Sequence, residues 1–170
     1  MKKIFLFLII YMISTNCFSY ESEDKLKAVI MGKLAKYITW DTEDSEYFVI
    51  TILQNPFGDL LDKNYHDKKI KSKNVKINYI NQPDELEFTH ILYIPQVNQK
   101  QLEQILDKTQ HKNILTISDS RGFAEKGGIV QVYFVSQKVK LKINLDLAKA
   151  ENLMISSALL RIATVVREDN

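Results

Sequence analysis

A short polar turn holds the residue types best suited to chemistry in this sequence: Ser118-Asp119-Ser120-Arg121-Gly122-Phe123. It follows Ile114 to Ser118, which is patterned as a buried strand, and ligands bind at the carboxyl ends of strands in open α/β sheets. Its two serine hydroxyls, the amides of a helix start and a guanidinium suit an anion. Capping of a short helix explains the same residue types without a ligand. We favour capping and keep the anion site as the alternative.

A second turn, Asn55-Pro56-Phe57-Gly58, follows another buried-type strand, Phe48 to Leu53. The two strand ends are predicted to border one cleft. Its candidate ligand-binding residues are Asn55, Phe57, Gly58, Ser118, Ser120 and Arg121, together with Arg161 from the C-terminal segment.

Arg161 lies four or five residues after Ser156 and Ser157 in a largely apolar segment. A partly buried arginine needs an acidic partner, and Asp146 or Asp119 is the expected one. The serines are more simply explained as helix caps, as is Asn144 or Asp146 before the preceding helix.

No pattern in the sequence predicts catalysis, a metal or a cofactor. His66, His90 and His111 are scattered without metal-ligand spacing, and His90 is expected to be a satisfied core residue. Gly127-Gly128 lacks the spacing of a phosphate loop and predicts a turn that needs a positive φ. We find no nucleophile–base motif, so the chain is not expected to be an enzyme.

The first nineteen residues are typical of an export signal, with Lys2 and Lys3 before the apolar run Ile4 to Ile13. Cleavage is expected after Ser19. A membrane anchor needs about 20 apolar residues, and polar residues interrupt this run too early. A second alternative is lipidation of Cys17, for which Asn16 is a poor preceding residue.

The mature chain, residues 20–170, would contain no cysteine, because Cys17 is the only one. Disulfides and thiolate zinc sites are then impossible. The chain has 23 basic and 21 acidic residues, and removing Lys2 and Lys3 leaves 21 of each. Near neutrality argues against nucleic-acid binding driven by bulk charge.

The hydrophobic pattern predicts one α/β domain. Glu23 to Ile38 and Asn98 to Lys108 have the period of amphipathic helices, and Leu159 to Val166 is expected to give a last helix. Further segments are predicted to be strands: residues 75–79, 90–94, 114–118, 129–135 and 139–144. Alternation of strands and helices predicts a three-layer domain with a mostly parallel sheet, followed by an antiparallel hairpin and a helix.

Four segments together resemble the YfiR-like family of exported bacterial proteins. They are a first helix ending in Tyr37-Ile38-Thr39-Trp40, the turn Asn55-Pro56-Phe57-Gly58-Asp59, the SDSRGFAEKGG turn at 118–128, and the INLDLAKAENLMISSALLRIA run at 143–163. The resemblance covers nearly the whole mature chain, in the same order and with natural spacing.

The resemblance implies a periplasmic regulator with an α/β sandwich that can dimerise. The founding member of the family holds a membrane diguanylate cyclase inactive by contacting its periplasmic region, so release raises cyclic di-GMP. Relatives are associated with such cyclases or with sensor histidine kinases. A redox switch based on disulfides is not carried over, because the mature chain lacks cysteine.

Partner contacts are expected at aromatic residues beside turns. Tyr37 and Trp40 are the candidates, with Tyr47 and Phe57 in similar positions. The alternative is that these rings seal the edge of the core. A second hypothesis for the whole protein is a periplasmic sensor that binds a small ligand in the strand-end cleft.

Overall fold

The computed structural model describes residues 17–40 and 45–167. Five helices lie within these ranges: α1 (Cys17–Ala35), α2 (Leu60–Tyr65), α3 (Gln99–Thr109), α4 (Leu145–Ala150) and α5 (Ser157–Leu160). The strands are β1 (Ile38–Trp40), β2 (Tyr47–Leu53), β3 (Lys69–Ile70), β4 (Lys73–Ile80), β5 (Ile91–Tyr93), β6 (Leu115–Ser118), β7 (Val130–Val135), β8 (Lys138–Asn144), β9 (Leu153–Ile155) and β10 (Thr164–Val166). A 3₁₀ turn covers Pro83–Glu85.

Eight strands form one sheet in the order β10-β8-β7-β6-β5-β2-β4-β3. The five strands from β7 to β4 run parallel, β8 returns antiparallel to β7, and β10 runs parallel to β8. Strands β1 and β9 form a separate antiparallel ribbon. The α/β fold, its mostly parallel sheet and the C-terminal hairpin are confirmed.

Apolar side chains cover both faces of the sheet and make three layers. Alternate residues of β2, such as Phe48 and Ile50, share a core with Met31 of α1 and Leu61 of α2. On the other face, Leu53, Leu92 and Ile94 pack with Leu102, Ile105 and Leu106 of α3. Full burial of one such side chain contributes about 1.5–3 kcal/mol, so both faces are needed for stability.

Helix α1 ends earlier than its pattern predicted. It stops at Ala35, and the predicted last turn instead leads into β1, where Ile38 pairs with Ile155 and Trp40 with Leu153. The Ile-Thr-Trp sequence has two β-branched residues and an aromatic one, which favour a strand when a partner is available. The prediction of helix through Ile38 was therefore wrong, since β9 supplies the partner.

The predicted last helix is also largely wrong. Only Ser157–Leu160 is helical, with the Ser156 side chain accepting from the Leu159 amide at 3.3 Å. The following Thr164–Val166 forms β10, which pairs with residues 142–144 of β8. Three β-branched residues beside an open sheet edge gain more from strand pairing than from a helix of marginal length.

The predicted caps at Asn144 and Ser156 are present, and α3 has a further cap that was not predicted. Asn144 Oδ1 accepts from the Leu147 amide at 3.0 Å at the start of α4. Asn98 and Gln101 form a capping box on α3, in which each side chain accepts from the backbone amide of the other. These contacts fix where each helix begins.

The amino-terminal predictions fall partly outside the described residues. Residues 1–16, which hold most of the predicted signal peptide, are not among them, and the described helix begins at Cys17. Within the described ranges, no helix is long and apolar enough to cross a membrane.

Candidate functional site

The predicted cleft borders the carboxyl ends of β2, β5 and β6, which are neighbours in the sheet. After β2, Asn55 forms a closed turn: its Oδ1 accepts from the Phe57 amide at 3.3 Å and its Nδ2 donates to Gly58 O at 3.0 Å. Both polar atoms of the Asn55 side chain are therefore hydrogen-bonded to the backbone of the turn. Gly58, at φ +58°, adopts the left-handed conformation that such a turn requires.

Phe57 connects this turn to the central strand. Its ring is buried and meets the Tyr93 ring edge to face, with centroids 4.8 Å apart. The contact places the turn over the end of β5. Phe57 is a core side chain here, and it leaves little of its ring to a ligand.

The Ser118 turn has both structural bonds and an unused polar atom. Ser118 is fully buried and its Oγ accepts from the Ser120 amide at 3.0 Å, which closes the turn. The Ser120 Oγ is buried and has no hydrogen-bond partner among the described residues. Buried hydroxyls normally have a partner, so this atom is the strongest sign of a polar ligand at the strand end.

Lys27 of α1 reaches this turn, and the sequence pattern did not predict this contact. Its Nζ lies 2.7 Å from Asp119 and 3.2 Å from Asp24, and only 12% of its side chain is exposed. Burial by itself lowers the lysine pKa, but the hydrogen bonds and charges of the two carboxylates outweigh it and leave the pKa raised. The one available signal was Asp24, three residues earlier on the same helix.

The two arginines do not join this group. Arg121 is exposed on the turn, and Arg161 is exposed at the end of α5, where its Nε donates to Ser157 O at 3.3 Å. The acids expected beside Arg161 are elsewhere: Asp119 pairs with Lys27, and Asp146 lies 4.0 Å from Lys149. The predicted buried arginine pair was wrong, because the short α5 leaves Arg161 in solvent.

The Gly127-Gly128 break is structural. Gly127 has φ +93°, as predicted for a turn, and a Cβ at Gly128 would lie 2.1 Å from the Phe123 ring. The fully buried Phe123 thus needs a glycine beneath it. Nothing in this geometry favours a phosphate loop.

The proposed partner residues differ in exposure. Tyr37 is 46% exposed, whereas Trp40 is partly buried, with its ring 5.4 Å from Phe48 and its Nε1 donating to His90 O at 3.2 Å. Lys71 Nζ lies 5.2 Å above the Trp40 ring. Trp40 thus closes the edge of the core, and Tyr37 is the more accessible of the two.

His90 is the satisfied core residue that its strand predicted. It is 4% exposed, stacks on Phe48 at 4.4 Å, and its Nδ1 accepts from the Val49 amide at 3.0 Å. The remaining proton is then on Nε2, 3.4 Å from Ser45 Oγ. Burial, helped by the positive charge of Lys73, lowers the His90 pKa to about 4, so the ring is neutral at pH 7.

The described residues contain no group of three or more His, Cys, Asp or Glu side chains placed to hold a metal ion. The fold is an α/β domain with a mostly parallel sheet, and most of the polar groups that the sequence predicted at the strand ends close turns.

The sequence match gives the family. Residues 24–164 match the model described as DUF4154, YfiR/HmsC-like, so the chain belongs to the YfiR/HmsC-like family. No curated protein matches the chain.

Solved structures show the same fold at low identity. A conserved domain protein from Vibrio cholerae has a TM-score of 0.60 and 11% identity over 85% of this chain and 60% of its own. An ABC domain from Streptococcus pneumoniae in complex with L-Trp has a TM-score of 0.53 and 13% identity, covering 79% and 59%. CD0873, a substrate-binding protein with adhesive properties from Clostridium difficile, has a TM-score of 0.51 and 14% identity, covering 71% and 55%. The chain thus spans about 60% of the length of these proteins, and the likeness concerns the fold.

Proposed function

We propose that this chain is a periplasmic regulatory protein that represses or tunes a membrane signalling enzyme by direct contact. The enzyme would be a diguanylate cyclase or a sensor histidine kinase acting through its periplasmic region. The observation that carries the proposal is the family match over residues 24–164. The geometry supports it, since strand-end polar groups are used mainly in turns and caps.

The β1–β9 ribbon offers a surface for such a contact. Strand alternation puts Ile38 and Leu153 in the core and turns Tyr37, Thr39 and Met154 outward. Tyr37 is 46% and Met154 65% exposed. An aromatic ring and a methionine exposed on the same ribbon are typical of protein interfaces.

A genetic experiment tests the function. Deleting the gene should raise cyclic di-GMP or change a kinase-dependent output, and re-expression should restore it. Unchanged values of both under several stresses, with no membrane protein co-purifying, would contradict the proposal.

Variants test the surface. Combining Tyr37→Ala with Met154→Lys should leave the fold intact, because both side chains are exposed, but should abolish complementation and partner capture. Val135→Lys is the matched control: Val135 is 49% exposed at the far hairpin. If the control loses complementation and partner capture as completely as the double variant does, the ribbon is not the contact surface.

A second candidate function is a periplasmic sensor that binds a small polar ligand at the Ser118 turn. The observation in its favour is the buried, unpartnered Ser120 Oγ beside the Lys27–Asp119 pair. A ligand bound only by the native state raises the thermal midpoint. A thermal-shift screen of metabolites and anions at about millimolar concentration should find a stabiliser that Ser120→Ala no longer binds. A screen without hits contradicts this candidate.

A further inference from the structure

A shallow pocket of about 160 Å³ lies between α1 and the turn from α2 to β3. Its polar lining consists mainly of lysines, two from α1 and two that follow α2: Lys33, Lys36, Lys68 and Lys69. The other lining residues are Val29, Gly32, Asn64, Tyr65 and Ile70. We call it the lysine pocket. It shares no lining residue with the Ser118 turn or with the β1–β9 ribbon, and Lys36 directly precedes Tyr37 of the ribbon surface.

No Asp or Glu is among the lining residues of the lysine pocket. Each acid of the adjoining segment, residues 59–67, has a contact with a side chain outside the pocket lining. Asp59 pairs with Lys63 at 2.6 Å, Asp62 accepts from Tyr79 Oη at 2.6 Å, and Asp67 pairs with His66 at 2.8 Å. Lysines elsewhere, such as Lys27 and Lys142, lie against carboxylates.

Helix ends account for only part of this charge. Helices α1 and α2 end at Ala35 and Tyr65, beside the pocket, and a helix carboxyl end carries about half a negative charge. Two ends therefore offset at most about one of four lysine charges. Lys68 also donates to Asn64 Oδ1 at 3.0 Å, which leaves two of its three N–H groups for a ligand.

The size of the pocket limits the ligand. Sites for whole drug-sized ligands are about 300–1,000 Å³, so 160 Å³ suits one compact charged group. Lysine ammonium groups are point charges that commonly bind phosphate. We propose that the lysine pocket binds a phosphate group, carried either by a soluble ligand or by a lipid headgroup. The proposal is independent of the regulatory function.

Titration calorimetry with sodium pyrophosphate at low ionic strength tests the proposal on the purified chain. The pocket variant is Lys33→Gln, Lys36→Gln and Lys69→Gln; the control, with equal charge change, is Lys100→Gln, Lys138→Gln and Lys140→Gln. All six lysines are exposed, so both variants should fold. Binding should weaken at least about tenfold in the pocket variant and less than about twofold in the control. Absence of wild-type binding, or equal weakening in both variants, would overturn the proposal.

Vesicle sedimentation then separates the two phosphate sources. The phosphate is a lipid headgroup if the wild type sediments with phosphatidylglycerol vesicles but not with phosphatidylcholine vesicles. The pocket variant should then no longer sediment with the phosphatidylglycerol vesicles. Pyrophosphate binding without vesicle binding assigns a soluble ligand. A chain that binds a glutamate-rich peptide but neither phosphate probe contradicts the proposal.

Discussion

At the residue scale, one tyrosine hydroxyl joins two helices. Tyr65 of α2 donates to Ala28 O at 2.6 Å and accepts from the Gly32 amide at 2.8 Å, two groups of α1 that are four residues apart. A hydroxyl inserted at this position takes part in the backbone ladder of α1. A Cβ on Gly32 would lie 2.8 Å from the Tyr65 Oη, so the glycine makes room for it.

Tyr65→Phe should destabilise the protein by about 1–3 kcal/mol, because buried backbone groups lose a partner. Urea unfolding measures the change. Tyr79→Phe is the control and should cost clearly less, because the hydroxyl of Tyr79 donates to the side chain of Asp62 at the surface. A larger loss for Tyr79→Phe would contradict this account.

The same contact predicts a loss of stability in alkali. Burial raises the pKa of Tyr65 from 10.0 to about 12, so its folded form keeps the proton longer than the unfolded chain does. The contribution of Tyr65 is complete below pH 10 and is lost between pH 10 and about 12. The difference in unfolding free energy between wild type and Tyr65→Phe should therefore shrink over that interval.

His90 predicts the opposite dependence in acid. Its folded pKa of about 4 lies below the ordinary value of 6.5, so the unfolded chain takes up the proton first as the pH falls. Stability from the neutral ring is present above pH 6.5 and is lost as the pH falls to about 4, by up to about 3 kcal/mol. An NMR titration should place the imidazole midpoint near 4. A midpoint near 6.5 would contradict the buried, neutral ring.

At the element scale, a carboxylate holds the turn after α3. Glu151, at the end of α4, is 4% exposed and accepts from the amides of His111, Lys112 and Asn113 at 2.8–3.2 Å. This contact ties α4 to α3 from a distance of about forty residues in the chain. No motif near Glu151 predicted it, because the partners are backbone amides.

Replacing Glu151 with Ala should cost about 2–4 kcal/mol, since three amides lose a charged acceptor. Glu151→Gln keeps one carbonyl acceptor and should cost less. Hydrogen exchange should show faster exchange of the His111–Asn113 amides in the Ala variant than in wild type. Unchanged exchange of these three amides in the Ala variant would contradict the role of Glu151 as their acceptor.

At the scale of the whole molecule, the two cores are coupled through the sheet. Strands β2 and β5 contribute to both faces, so we expect one cooperative unfolding transition. Trp40, the only tryptophan, packs against the α1 side and reports on that face by fluorescence.

Leu102→Ala, on the α3 face, should lower stability by about 2–5 kcal/mol through the cavity that it leaves. Because the cores are coupled, Trp40 fluorescence and far-UV circular dichroism should shift together in urea. Non-coincident curves would show that the α3 face unfolds separately. Lys100→Ala, an exposed change on the same helix, is the control.

The sequence by itself determined the parallel core and the hairpin, because strands such as β2 and β5 are buried on both faces and carry nearly continuous apolar runs. It also determined the caps at Asn144 and Ser156, which depend on contacts within a few residues. The tertiary structure alone decided that Ile38–Trp40 and Thr164–Val166 are strands, since a strand exists only where a distant partner offers its backbone. The tertiary structure also decided three further features: the Lys27–Asp119 pair, the buried Ser120 hydroxyl and the lysine pocket. Each depends on the approach of segments that are remote in the chain.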